Sequence, residues 1–386
     1  MRLKQSIALL LCFMLFFSAL AGCGNTETNE PVDEIPNENE TEAEIIECEI
    51  PIGIDFDTAY KAFAPDTIMI KSGDIVVTWA ELFVFLFRSV SSLLYTSPED
   101  IDWSEEIDVG MTLADMVLDY STEEAMSFML FEYGAKVNNV VLSGDDLIPL
   151  YEELDSLIEM YGGQDEFATV LREGSGFYDF SVFERLLLIE FTMGFIMNEL
   201  YGDDGADFPD EKVADYALQN NYMQAKHILI NRTEEDDGSA LKEIEEIHKK
   251  LLERLDDDDF FDFFDTLMNE HSEDTGGVIS FPDGYLFQPN DMVLSFSMAC
   301  AELDVGQISD IVESEYGYHI ILRLPIDYDA VPIGIASTGY DRTLRQIAVI
   351  EDFELVLQGW QDSLNPEFTP EYQSIDLASI FPWHSH

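Results

Sequence analysis

The chain has 386 residues, and its 18 basic against 79 acidic side chains give a formal net charge of −61. That balance excludes nucleic acid, which is held by Lys and Arg neutralising phosphates, and it excludes electrostatic docking on anionic lipid. The hydrophobic fraction of 47% is that of a folded body, not of a charged coil.

Arg2 and Lys4 open the chain, and an apolar stretch from Ile7 to Leu20 follows, short for a membrane span. It closes on Leu20-Ala21-Gly22-Cys23, which resembles a bacterial lipoprotein signal. The resemblance implies a leader over 1–22 and a mature chain that begins at Cys23 with diacylglycerol on its sulfur. Such a double acyl chain suffices for stable anchoring at the lipid bilayer. The alternative is a cleaved secretory leader with an incidental cysteine. Residues 23–50, rich in Asn, Glu, Thr and Pro, read as a disordered acidic tether. Beyond Cys12 in the leader and Cys23, only Cys48 and Cys300 remain, and two thiols make no disulfide framework; both are expected to be unpaired.

Residues 51–221 read as a helix-rich domain. Asp66 to Trp79 has the pattern of a hairpin turning at Ser72-Gly73-Asp74. Thr78 and Glu81 fit a capping box for the helix that follows. Amphipathic segments near 111–135, 144–161, 164–173 and 179–201 come next, with Ser143 and Asp145 as expected caps, and 210–221 reads as a connecting helix. The abundant Phe, Leu and Met suit an ordinary core, and equally a groove for unfolded chains, because such side chains repack around different partners. The acidic runs Asp256–Asp259 and Asp203, Asp204, Asp207 and Asp210 lack the ordered loop of a calcium site and read as solvated charge.

Residues 222–326 carry the chemistry. Gln224-Ala225-Lys226-His227-Ile228-Leu229-Ile230 and Tyr316-Gly317-Tyr318-His319-Ile320-Ile321-Leu322 read as two strands. Side chains alternate faces on a strand, so pairing of the two lets His227 and His319 meet on one face; the alternative is two unrelated core histidines. Between them lie a helix from Ser239 to Leu255, with Leu241, Ile244, Ile247, Leu251 and Leu255 at helical spacing, and an amphipathic turn from Phe260 to Glu270. His271-Ser272-Glu273-Asp274-Thr275-Gly276-Gly277 then reads as a Gly-rich loop, and Asp291 to Phe296 as a helix.

AKHILI at 225–230, Ser272-Glu273-Asp274 with Gly276-Gly277, DMVLSF at 291–296, and GQIS leading into EYGYHII at 306–321 resemble the parvulin family of peptidyl-prolyl isomerases. The resemblance covers roughly one hundred residues. It implies an α+β fold: a four-stranded antiparallel sheet with helices, inserted in a mainly α-helical chaperone-like module. It also implies isomerisation of X–Pro bonds. Asp274 would stand beside the reacting bond, with His227, His319 and Ser314 forming a polar floor. Met292 and Phe296 would grip the proline ring from one helix face, with Phe287 and Tyr318 as further substrate contacts. No cofactor or metal is implied.

The chain departs from the family at Val278-Ile279-Ser280-Phe281 and at Ala299 to Glu302, where an aromatic is missing; either one wall of the proline pocket is shallower, or Phe287 or Tyr285 fills it. Residues 327–386, with a helix from about Thr343 to Trp360, have nothing local to bury against and are expected to pack back on the N-terminal domain. The layout resembles extracytoplasmic foldases of the PrsA and SurA type. Their partners would be unfolded or newly secreted polypeptides containing proline, and the resemblance leaves open a homodimer. A holding chaperone with a degenerate isomerase domain is the alternative reading. A solute-capturing lipoprotein lacks the strand–helix alternation it needs.

Overall fold

A computed structural model describes residues 53–96, 101–232, 238–336 and 342–383. The expected leader, the lipid site Cys23, the tether and Cys48 lie outside the described residues. Among the described residues no helix is long and apolar enough to cross a membrane. The chain divides into two compact units, one drawn from Met1–Glu199 and Glu354–His386, the other Leu200–Phe353.

In the first unit α1 (Phe56–Tyr60) precedes a hairpin of β1 (Ile68–Ser72) and β2 (Ile75–Thr78), then α2 (Trp79–Thr96). The helix starts at Trp79 because Thr78 and Glu81 exchange bonds. The Thr78 amide donates to the Glu81 carboxylate at 2.7 Å, and the Glu81 amide donates to Thr78 Oγ1 at 3.4 Å. Further helices are α3 (Leu113–Val137), α4 (Ile148–Met160), α5 (Gln164–Ser175) and α6 (Phe180–Tyr201). Ahead of α4, Ser143 opens the short turn Gly144–Leu147, its amide donating to Asp146 at 3.1 Å; Asp145, the other expected cap, lies inside that turn. The core is aromatic: Trp79, Phe83, Phe167 and Phe381 are almost wholly buried. Phe381 comes from the C-terminal stretch; its ring stacks on Phe83 at 5.9 Å, and its carbonyl accepts from Trp103 Nε1 at 3.0 Å. Glu367–Phe368 adds a short strand to β1. Gly134 on α3 lies so close to the Trp360 ring that any Cβ there would overlap it.

The second unit starts with α7 (Asp210–Gln219) and then β3 (Met223–Asn231). Next come α8 (Ser239–Leu252), α9 (Phe260–His271), α10 (Thr275–Ser280) and β4 (Tyr285–Phe287). It continues with α11 (Leu294–Glu302), β5 (Val312–Glu313) and β6 (Gly317–Leu324); the helix α12 (Leu344–Ser363) begins in this unit and ends in the first. The four strands form one antiparallel sheet in the order β4-β3-β6-β5. Ile228, Ile230, Ile320 and Leu322 on one face pack against Ile244, Ile247 and Leu251 of α8 and Phe264 and Leu267 of α9. Each such side chain contributes about 1.5–3 kcal/mol on burial. The buried stripe of α8 is Ala240, Ile244, Ile247 and Leu251, a spacing of four, three and four. Leu241 is exposed, and Leu255 falls beyond the helix end. The expected Gly-rich loop at Gly276-Gly277 is instead helical, because Asp274 caps α10 by accepting from the Gly277 amide at 3.1 Å. In the acidic run, Asp257 and Asp259 both accept from Arg254, at 2.7 and 2.6 Å.

Candidate active site

The register of β3 and β6 decides where the histidines meet. His227 stands opposite Ile321 and Leu229 opposite His319, so both imidazoles project from the face opposite α8 and α9, offset along the sheet. Their rings lie nearly parallel with centroids 5.3 Å apart, and the two Nδ1 atoms are 3.1 Å apart. His227 is 8% and His319 3% exposed.

Asp274 reaches this face because the two residues before it finish a sheet edge. β4 pairs only with Met223, Gln224 and Ala225. Farther along β3, the Leu229 amide donates to Ser272 Oγ at 3.1 Å, the Glu273 amide donates to the Leu229 carbonyl at 2.8 Å, and the Asn231 amide donates to the Glu273 carboxylate at 2.6 Å. Ser272 and Glu273 thus satisfy backbone groups that would otherwise lack partners. The next side chain turns over the sheet, and Asp274 Oδ2 lies 2.6 Å from His227 Nε2.

One direction in the row is fixed. A carboxylate accepts and does not donate, so His227 Nε2 carries a proton aimed at Asp274. His227 Nδ1 and His319 Nδ1 share one hydrogen bond, whose direction is set by the tautomers of the two rings. Ser314 Oγ lies 2.6 Å from His319 Nε2 and accepts from the Tyr316 amide at 3.1 Å. Burial and the neighbouring His227 push His319 down to about 4, against the pull of Asp274, so it is neutral at pH 7. Asp274 is held well below the usual carboxylate range, first by the His227 bond, against the cost of burial, and then by the Gly277 amide and Tyr285.

Beside this polar row stands an apolar wall. Phe296, on α11, meets both imidazoles edge-on, at 5.1 Å from His227 and 5.8 Å from His319. Met292 is half-buried against the same cluster. It does not share a helix face with Phe296, as its spacing suggested, because α11 begins only at Leu294 and Met292 is extended, after a short turn that Pro289 starts. Two expected substrate contacts are corrected. Phe287 is fully buried behind Phe296, 5.7 Å away, and backs the wall without facing a ligand. Tyr318 precedes His319 and so points to the other face, where it packs on the α8–α9 core beneath the Arg232 guanidinium. Cys300 is a free buried thiol behind the wall, pushed up by burial.

One participant escaped the sequence reading in its real role. Tyr285, weighed only as a pocket filler, donates its hydroxyl to Asp274 Oδ2 at 2.8 Å. No spacing rule could signal that bond, since it depends on β4 pairing Tyr285 with Ala225.

Residues 227–324 match the family model of the rotamase, PPIC-type PPIase domain. Among curated proteins, the chain is 29% identical over 173 residues to the foldase protein PrsA of Oceanobacillus iheyensis, covering 45% of this chain and 50% of that one. It is 38% identical over 112 residues to foldase protein PrsA 3 of Bacillus cereus, covering 28% and 34%. The chain thus spans half or less of the length of these relatives. Among solved structures, a peptidylprolyl isomerase (PrsA) from Bacillus anthracis aligns at 23% identity and a TM-score of 0.23, over 63% of this chain and 98% of that one. The sheet that carries His227, His319 and Asp274 therefore belongs to a parvulin-type, PPIC-type peptidyl-prolyl isomerase domain, in a chain related to the PrsA foldases.

Proposed function

We propose that the chain is a foldase that isomerises X–Pro bonds in unfolded or newly secreted polypeptides. The observation that carries this reading is the Asp274–His227–His319–Ser314 row lying against the Phe296 wall, a polar track beside an apolar one. An X–Pro bond turns slowly because amide resonance sets a barrier of about 18–20 kcal/mol. Resonance places negative charge on the carbonyl oxygen of the planar amide, and twisting removes it. A fixed carboxylate beside that oxygen raises the planar form relative to the twisted one, which is differential binding of the transition state. In this reading Phe296 and Met292 hold the proline ring and Asp274 faces the carbonyl side. His227, His319 and Ser314 keep Asp274 ionised and oriented. No proton is transferred, so the histidines are not an acid–base couple.

The wider organisation belongs to the same proposal. Residues 1–22 are removed as a leader, Cys23 carries the lipid, and residues 23–50 tether the protein at the extracytoplasmic face of a bacterial membrane. Residues 222–326 are the isomerase, set between 51–221 and 327–386, which form a chaperone-like module. The likeness to PrsA foldases and the Leu20-Ala21-Gly22-Cys23 sequence support this reading.

The test is acceleration of cis–trans exchange in a proline-containing tetrapeptide by the chain without its first 23 residues, beside the Asp274→Ala variant. The expected result is acceleration that the variant loses by at least about tenfold, the worth of a charged group acting at the reacting bond. A folded but inactive parent chain would leave the holding-chaperone reading in its place.

A further inference from the structure

We propose that Tyr285 is a positioning residue for the isomerase site, its hydroxyl locking the Asp274 carboxylate in the one rotation that serves the reacting bond. The inference rests on the function proposed above and extends it to a residue that the polar row does not contain.

Four observations carry it. Asp274 Oδ2 accepts twice, from His227 Nε2 at 2.6 Å and from the Tyr285 hydroxyl at 2.8 Å, while Oδ1 accepts once, from the Gly277 amide at 3.1 Å. Three donors from three elements fix the plane of the carboxylate and leave Oδ1 with one unengaged lone pair, by the usual count of about two per oxygen. His227 and the Gly277 amide hold one oxygen each; the phenol gives Oδ2 a second donor from another direction and so narrows the rotation that these two leave.

The phenol itself is held. Tyr285 sits on β4 opposite Ala225, its ring packs on Phe281 with centroids 4.8 Å apart, and its edge contact with His227 is 5.9 Å. Packing on both sides sets the side-chain rotamer, so the hydroxyl arrives at Asp274 without an ordering cost at the moment of reaction.

The local backbone is cut to fit the pair. A Cβ on Gly277 would stand 2.6 Å from Asp274 Oδ2 and 3.1 Å from the Tyr285 hydroxyl. Only a glycine admits carboxylate and phenol together at this turn. Lastly, burial and the Asp274 bond push the Tyr285 hydroxyl well above the ordinary tyrosine range, so it remains a donor at every pH at which the protein works.

The experiment compares the chain without its first 23 residues with its Tyr285→Phe variant, which keeps the ring and its packing. Three readings are taken. In tetrapeptide isomerisation, kcat is expected to fall about tenfold with KM within about twofold, the pattern of losing one charge-assisted hydrogen bond that orients a reacting group. In the Asp274→Asn background the same change is expected to cost nothing more, because Tyr285 acts through the carboxylate. In spectra of chain labelled with ¹⁵N-histidine, the His227 Nε2–H resonance is expected to move in Tyr285→Phe and to stay in place in Tyr318→Phe, whose ring is on the other face.

An unmoved His227 resonance overturns the proposal. So does a loss of activity that persists undiminished beside Asp274→Asn, which would mean that the phenol acts on substrate or on the fold. If the resonance moves but the parent chain accelerates nothing, the positioning role stands and the isomerase reading falls.

Discussion

His319 gives the most direct test of the electrostatic account, because its burial makes a signed prediction about stability. Its pKa in the folded domain is depressed to about 4, against 6.5 for an ordinary histidine, chiefly by desolvation and by the neighbouring His227. Between those values the unfolded chain binds a proton that the folded one refuses. Stability is therefore fully present above 6.5 and is lost as the pH falls toward 4. Integrated from pH 7 to pH 5, one such group removes about 2 kcal/mol. The window lies above the carboxylate range, so Asp274, whose contribution disappears only below the ordinary aspartate value, adds nothing to it. In a His319→Gln variant this component is absent, and the slope of stability against pH between 7 and 5 should be shallower by the same amount.

The assay has to be chosen with the sequence in view. All four tryptophans, Trp79, Trp103, Trp360 and Trp383, lie in segments of the first unit, so intrinsic fluorescence does not report on the sheet that holds His319. Native-state hydrogen exchange of peptides from β3 and β6, corrected for intrinsic exchange rates, reads the opening free energy of the right element. Parallel slopes for the two proteins would refute the reasoning, and with it the neutral state assigned to His319.

Two further outcomes follow from the same packing. Phe296→Ala removes a ring that is 2% exposed and touches both imidazoles; β3 and β6 should lose about 3–5 kcal/mol of exchange protection and isomerase activity should fall with it, whereas Phe296→Leu should cost about 1–2 kcal/mol. Gly317→Ala introduces a Cβ that overlaps the Ile230 carbonyl at a backbone angle φ of +151°; calorimetry should show the loss of at least about 1–3 kcal/mol from the end of the β3–β6 ladder, beside His319.

How much of this was legible depended on whether local pattern or three-dimensional pairing decided the feature. The two histidine strands could be read because alternation is a property of the strand itself, and the four-stranded antiparallel sheet could be expected from the parvulin motifs. The hairpin at Gly73 and the Thr78–Glu81 cap are likewise written within a few residues. Met292 was misread because DMVLSF has helical spacing, yet Pro289 starts a turn two residues too early for Met292 to join α11. Phe287 and Tyr318 were misread for another reason. Whether an aromatic side chain lines a groove or backs it depends on what covers it, and Tyr318 fell on the wrong face by the same alternation that placed His319 on the right one. Gly276 and Gly277 looked like a flexible loop; one carboxylate, by capping the amide of Gly277, makes them helical. Tyr285 was invisible in its real role because its partner is eleven residues away across a turn whose path no local rule fixes.

The row of hydrogen bonds also bears on what kind of catalyst this domain can be. His227 spends its Nε2 proton on Asp274, and the row ends on this ionised carboxylate. What it does supply is a charge of fixed position, under a sheet too well packed to let it relax. A reaction that only needs its planar ground state raised is served by such a fixed charge, and rigidity then matters more than acidity. Ser272 and Glu273 close the sheet edge and Gly277 leaves the space that the Asp274 carboxylate occupies, so the position of that charge is set by residues outside the polar row.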